Sequence, residues 1–281
     1  MTESTLVALA GRDTLDLLHR ISTQTLLNLA PGWTRLVCFC DFRGRLLHRV
    51  WVARGADDTI WLARPDAAAA GLLAFLDRSI FREDIRVTDR SGDLAVVWCE
   101  PGGLTPETLE SREGTPLRMR AADGPALAVI GAGALAPGAV TRLDERARIS
   151  AGIAAHGHEI TEDYTPFEVN LADAVHLDKG CFTGQEALQR LVTHDRVRRR
   201  LFTVRGLGAT PAVPVEASRD GVAVGRLTSA APGGDGWIGL AVLRADLGAT
   251  HDLALGSGGV LGEARPLPLA RPLGRPWAAV D

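Results

Sequence analysis

The residues best suited to chemistry stand together in the run Asp178-Lys179-Gly180-Cys181-Phe182-Thr183-Gly184-Gln185-Glu186. Thr183 and Glu186 make a Thr-x-x-Glu pattern ahead of Ala187-Leu188-Gln189-Arg190-Leu191, which reads as a capping box opening a helix. With Thr183 as N-cap, Cys181 falls two residues before it. The positive end of the helix dipole and the Lys179 ammonium would both favour a thiolate, the nucleophilic and metal-binding form of cysteine. Gly180 and Gly184 let the backbone turn tightly or approach a ligand. The plainer reading is a helix-start loop with a packed thiol and a solvated amine. The convergence of these residue types within a few positions weighs against it.

Lys179 is the single lysine among 31 basic residues. In a chain rich in Ala, Gly, Arg and Pro, Arg has replaced Lys wherever charge alone matters. A lysine that persists then marks a place for a compact ammonium with a movable pKa, with chance as the alternative. The other three cysteines read differently. Cys38 and Cys40 alternate in LVCFC and share one face of a strand as packed thiols, and a CxC without a second ligand pair is a weak metal signal. His156-Gly157-His158-Glu159 also lacks a matched second pair for a closed metal site, so no metal ligands are assigned. The basic run Arg196-Val197-Arg198-Arg199-Arg200 suits phosphate or RNA, but a short run in an acidic chain reads first as a solvated connector.

The surrounding chain must position these groups. It has 281 residues, 46% hydrophobic and 23% charged, the balance of a soluble globular protein. A net charge of -3 gives no basis for general nucleic-acid or membrane binding. The N-terminus has no signal-peptide pattern and the longest apolar run, 67–76, is too short to span a bilayer, so a cytoplasmic location without disulfides is expected. A helix follows Asp13 as its cap, strands are expected at 34–39 and 46–53 around an Asp41-Phe42-Arg43-Gly44 turn, and a second helix at 67–75. Further strands are expected at 85–88, 94–99 and 126–130, a loop or break at 101–116, and a short helix at 141–149. After Leu201, short β-like runs at 202–204, 213–216, 222–227 and 237–242 alternate with breaks such as Asp220-Gly221, pointing to a small antiparallel barrel or sandwich. The segment 265–276 reads as a surface tail. The fold class is α+β, divided into 1–200 and 201–281.

The run KGCFTGQE resembles the signature of the YgfZ family, folate-binding relatives of the glycine-cleavage aminomethyltransferases. Leu9 to Thr25, the turn Asp41-Phe42-Arg43-Gly44-Arg45, Arg148-Ile149 with Gly152, Gly157-His158-Glu159-Ile160, and Pro166-Phe167-Glu168-Val169-Asn170-Leu171 are similar to the family's other segments, in the same order. The resemblance covers most of the chain to about residue 190. It implies an aminomethyltransferase-like folate-binding fold of subdomains around a central pocket, with a C-terminal antiparallel β-barrel. It further implies tetrahydrofolate or a derivative as cofactor, a transient iron–sulfur cluster, and iron–sulfur client enzymes as partners, including tRNA-modifying radical enzymes, without stable nucleic-acid or membrane binding.

On this resemblance Cys181 is the functional thiol and Lys179 supports it, with Gly180, Thr183, Gly184 and Glu186 shaping the loop and helix start. Folate contacts fall to Arg148, Glu159, Glu168, Asn170 and Gln185, because a carboxylate can accept the N–H groups of a pterin and an arginine suits its glutamate tail. The chain departs from the transferases in one respect: His48 and Arg49 stand where those enzymes carry a catalytic Asp, and a cation cannot accept a proton or stabilise an iminium-like centre. A factor in 4Fe–4S assembly or repair is therefore expected ahead of a folate-dependent aminomethyl or methyl transferase.

Overall fold

Alternating apolar residues lay down the first sheet. The computed structural model describes residues 3–121, 124–256, 260–268 and 271–274. Strands β1 (Thr5–Ala10), β2 (Thr34–Cys40), β3 (Leu46–Arg54), β4 (Ile60–Arg64) and β5 (Arg86–Asp89) form an antiparallel sheet in the order β2-β3-β4-β1-β5. On β3, Val50 and Val52 face a core shared with helices α1 (Thr14–Ile21) and α2 (Ala69–Ser79), through Leu18, Leu72 and Leu76. Trp51 and Ala53 point the other way, as the two-residue side-chain period requires. They meet a second sheet of β6 (Leu94–Cys99), β7 (Thr108–Arg112), β8 (Thr115–Arg120) and β9 (Ala126–Gly131), ordered β6-β9-β8-β7. Trp51, Trp61, Trp98 and Met119 fill that second core.

Several elements correct the sequence reading. The 101–116 segment holds strand β7 and the start of β8, a hairpin rather than a plain loop. Strands β1 and β4 escaped notice because interior strands are buried on both faces and lose their alternation: all five residues of β4 are buried. Helix α3 (Glu145–Ser150) starts after the expected position, where Asp144 accepts a hydrogen bond from the Ala147 amide at 2.7 Å. Asp13 occupies the N-cap position of α1 without capping it, and its carboxylate accepts from the Asp84 amide instead.

After helix α4 (Gln185–Thr193), strands β10 (Arg199–Leu207), β11 (Val215–Arg219), β12 (Val222–Gly233), β13 (Gly236–Arg244), β14 (Thr250–Leu255) and β15 (Val260–Pro266) close an antiparallel barrel, β15 pairing with β10. Asp220 and Gly221, with φ of 52° and 76°, form the two-residue β11–β12 hairpin their sequence predicts. Phe202, Leu227, Trp237 and Leu243 pack the barrel interior. The expected tail is tied to the fold at two places. Arg265 and Pro266 end β15, and Leu273 exchanges backbone hydrogen bonds with Val175 and Leu177, immediately ahead of the signature run. Residues 269–270 and 275–276 of that segment lie outside the described residues. A third core joins the β2–β3 sheet end, residues 149–177, α4 and the barrel wall through Cys38, Phe167, Leu188 and Leu240. Among the described residues, no helix is long and apolar enough to cross a membrane.

Candidate functional site

The signature run is held against a turn from far earlier in the chain. Asp41 builds that turn: its side chain accepts from the Arg43 and Arg45 amides, both at 2.8 Å, and Gly44 closes it with φ of 74°. The turn rests on the first residues of α4. A Cβ on Gly184 would lie 2.4 Å from the Asp41 carbonyl oxygen, and φ at Gly184 is 83°, so only glycine allows this approach. Gly184 itself is the N-cap. The capping box expected of Thr183 and Glu186 is absent: Thr183 is exposed with no capping bond, and Glu186 pairs with Arg190 at 2.6 Å. A left-handed N-cap glycine leaves Thr183 outside the geometry a capping hydroxyl needs. Gln185 and Gln189 secure the helix start by donating to the Leu177 carbonyl at 2.8 and 3.2 Å.

Lys179 fastens the other end of the run. Its ammonium donates to the backbone carbonyl of His19, one of the last four carbonyls of α1, and lies 5.1 Å from the Phe182 ring centroid. His19 replies. Its Nδ1 accepts from the Leu26 amide at 3.2 Å, which leaves Nε2 to donate to the Lys179 carbonyl at 3.1 Å. Burial lowers the Lys179 pKa to about 8. Burial, then the nearby ammonium, also lowers that of His19. The lone lysine is thus half of a two-point clasp. Its partner His19 carried no sequence signal.

Of the four free thiols, only Cys181 is exposed. Cys38 and Cys40 lie on one buried face of β2, as their alternation predicts. Burial pushes the Cys38 thiol up to about 12, Cys40 well above its ordinary value and Cys99 to about 11. Thiolate chemistry in the folded protein is therefore confined to Cys181.

The five proposed folate contacts do not converge. Glu159 is fully buried, and its carboxylate accepts from Thr228 at 2.5 Å, Ser229 at 2.7 Å and the Ala155 amide at 3.0 Å. Arg148 lies 3.4 Å from it and also pairs with Glu145 at 2.5 Å. This network ties residues 145–159 to barrel strand β12. Glu168 accepts from the Thr165 amide and from Arg199 at 2.9 and 2.8 Å. Gln185 is committed to Leu177. His156 and His158 diverge as well: His156 donates to Asp66 at 2.8 Å, and His158 meets the Thr228 carbonyl.

Arg148 and Glu168 border separate cavities of about 440 and 1030 Å³, whereas Asn170, with φ of 61°, borders one of about 190 Å³ between the two sheets and the 152–154 and 169–173 segments. Arg49, Trp51, Trp98 and Asp173 line it with Asn170. The Arg49 guanidinium lies 4.8 and 5.1 Å from the centroids of the Trp51 and Trp98 rings, which meet each other edge to face at 5.0 Å, and it is bound to Asp66 at 2.7 Å. The Arg49 Nε and both indole N–H groups are buried without hydrogen-bond partners. Asp173 is exposed at the cavity rim, and the partial desolvation of its carboxyl there raises it above its ordinary pKa. Sequence reading had noted Arg49 only as a departure from the transferases. The i, i+2 spacing of Arg49 and Trp51 places both on one strand face and was the available signal; Trp98 and Asp173 offered none.

No protein-family model matches the chain. It is 32% identical over 124 residues to a putative chloroplastic transferase of Arabidopsis thaliana, across 42% of this chain and 28% of that protein. It is 40% identical over 88 residues to an aminomethyltransferase of Herpetosiphon aurantiacus, across 30% and 24% of the two chains, and 30% identical over 131 residues to one of Chlorobium chlorochromatii, across 46% and 32%. The matches therefore span about a quarter to a third of these curated relatives. Among solved structures, the glycine cleavage system aminomethyltransferase T from Bartonella henselae superposes with a TM-score of 0.77 over 97% of this chain and 86% of that one, at 16% identity. The chain has the aminomethyltransferase fold, with its closed C-terminal barrel.

Proposed function

We propose that the chain is a folate-binding factor of the YgfZ type that supports assembly or repair of 4Fe–4S clusters in client enzymes, with Cys181 as its working thiol. The observation that carries this reading is the confinement of accessible thiol to one residue, in a loop anchored at both ends by the His19–Lys179 clasp and by Gly184 against the 41–44 turn. The cluster is cargo: an exposed cysteine sulfur can ligate an iron atom of a client-held cluster, or attack a client disulfide to form a mixed disulfide and release the client's other sulfur as thiolate, and an anchored loop presents it at a fixed place.

The central cavity fits the ring end of a folate. Its indole lining suits a planar heteroaromatic ring, and Asn170 and the Asp173 carboxyl can meet pterin N–H groups. Asp173 takes the role first given to Glu159 and Glu168, whose oxygens are already engaged. At about 190 Å³ the cavity is smaller than the roughly 300–1,000 Å³ of drug-sized sites, so the benzoyl-glutamate portion lies outside it. Tetrahydrofolate, when bound, supplies nitrogens that carry a one-carbon unit.

The names of the relatives favour a second reading, a folate-dependent aminomethyl or methyl transferase. His48 and Arg49 weigh against it. Burial, then Arg64, takes His48 down to about 3, so it is neutral, and the Arg49 charge is spent on Asp66. Tetrahydrofolate titration followed by tryptophan fluorescence tests the ligand. Saturable quenching is expected in wild type and Cys181→Ser, weakened about tenfold in Asp173→Asn, the loss of one charge-assisted contact. Absence of saturation, or indifference to Asp173→Asn, contradicts the assignment. Turnover of an aminomethyl donor that survives Cys181→Ser would favour the transferase.

A further inference from the structure

The basic run at residues 196–200 does more than connect α4 to the barrel. With the 41–45 turn, α4 and the outer faces of β12 and β13 it lines an open cleft of about 1030 Å³. Seven arginines and four carboxylates border this cleft. The carboxylates are largely committed: Asp41 holds its turn, Glu168 lies between Arg45 and Arg199, and Asp163 stands 3.8 Å from Arg226. Among the described residues, Arg43, Arg196 and Arg198 make no salt bridge, and all three are exposed. Arg43 stacks 5.1 Å from the ring centroid of Phe42, itself 73% exposed. Leu191 and Val197, both half-buried, contribute apolar floor between the charges.

Uncompensated guanidinium groups over an apolar floor call for an anionic ligand that also carries apolar side chains. Nucleic acid is the poorer match. Its backbone presents closely spaced phosphates and its sites are strongly basic, whereas this cleft interleaves carboxylates with arginines on a chain of net charge -3. We infer that the cleft is a docking groove for an acidic segment of a partner protein. The partner's carboxylates pair with Arg43, Arg196 and Arg198, and its apolar side chains lie on Leu191 and Val197. The groove ends on the turn that abuts Gly184, so a segment bound there brings its parent protein to the side of the molecule carrying the Cys181 loop.

Fluorescence anisotropy of the full chain with a short labelled peptide of interspersed glutamates and leucines tests this. The expected result is saturable binding that weakens with added salt and by about tenfold in the double variant Arg196→Glu/Arg198→Glu. Arg112→Glu, on β7 outside the cleft, should bind as wild type does. Circular dichroism of each variant separates lost binding from lost folding. No saturable binding, equal binding by the double variant, or tighter binding of an oligouridylate than of the peptide would overturn the inference. The readout is binding alone, so it stands apart from the thiol and folate chemistry.

Discussion

At the residue scale, the chemistry reduces to which groups are held neutral and which are left free to ionise. With three thiols buried and one exposed, native protein should react with one equivalent of a thiol reagent, and with four after unfolding. Cys181→Ser should take the native count to zero; a second fast-reacting thiol would contradict the burial described above. The buried histidines give a pH signature. His48 is lowered to about 3 by burial and Arg64, and His19 and His156 are lowered too, burial being the main cause in each. The unfolded chain therefore takes up protons first, below about pH 6.5, and stability should fall as pH drops from about 6.5 toward 3. Urea midpoints measured across that range check the slope, and a flat profile would refute it. Asp66 behaves differently: burial opposes its ionisation, but Arg49 and His156 outweigh it and hold the carboxyl below its usual range. Asp66→Asn should cost about 3–5 kcal/mol at pH 7, as broken buried pairs do. That penalty should shrink only below about pH 4, where the unfolded wild-type chain takes up a proton that the folded Asp66 still refuses.

The elements explain why part of the site was legible and part was not. Lys179, Cys181 and the two glycines announced themselves because their types are rare or conformationally special. The start of α4 was legible too, but Thr183 was misread as its cap: Thr-x-x-Glu is a local pattern, and the left-handed Gly184 is imposed by a turn some 140 positions away in sequence. For the same reason Glu159 and Arg148 looked available. Their partners on β12 are fixed by tertiary packing, which spacing along the chain does not encode. Barrel strands β10 to β13 were readable from alternation and the Asp220-Gly221 turn, while β1 and β4 were hidden by their burial on both faces. Gly184→Ala measures the tertiary constraint directly. The added methyl meets the Asp41 carbonyl, so unfolding free energy should drop by about 1–3 kcal/mol and Cys181 reactivity should change with it. Wild-type stability with unchanged thiol reactivity would mean that the two motifs are not packed together.

Across the whole molecule, two sheets, a helix layer and a barrel converge on segments 148–177, and the polar seam between Arg148, Glu159, Thr228 and Ser229 joins the barrel to the rest. Glu159→Gln leaves Arg148 with less compensation and should cost about 3–5 kcal/mol, visible as a barrel transition separating from the main one in chemical unfolding. A single unshifted transition would deny the seam that role. The central claim is that this architecture exists to present one thiol to iron–sulfur clients, and complementation tests it most directly. In a strain lacking the gene, the activity of a 4Fe–4S enzyme is measured after restoring wild type or Cys181→Ser, with the variant's folded state confirmed by its unfolding midpoint. The account predicts recovery with wild type and none with Cys181→Ser. Full recovery with a folded Cys181→Ser would contradict it.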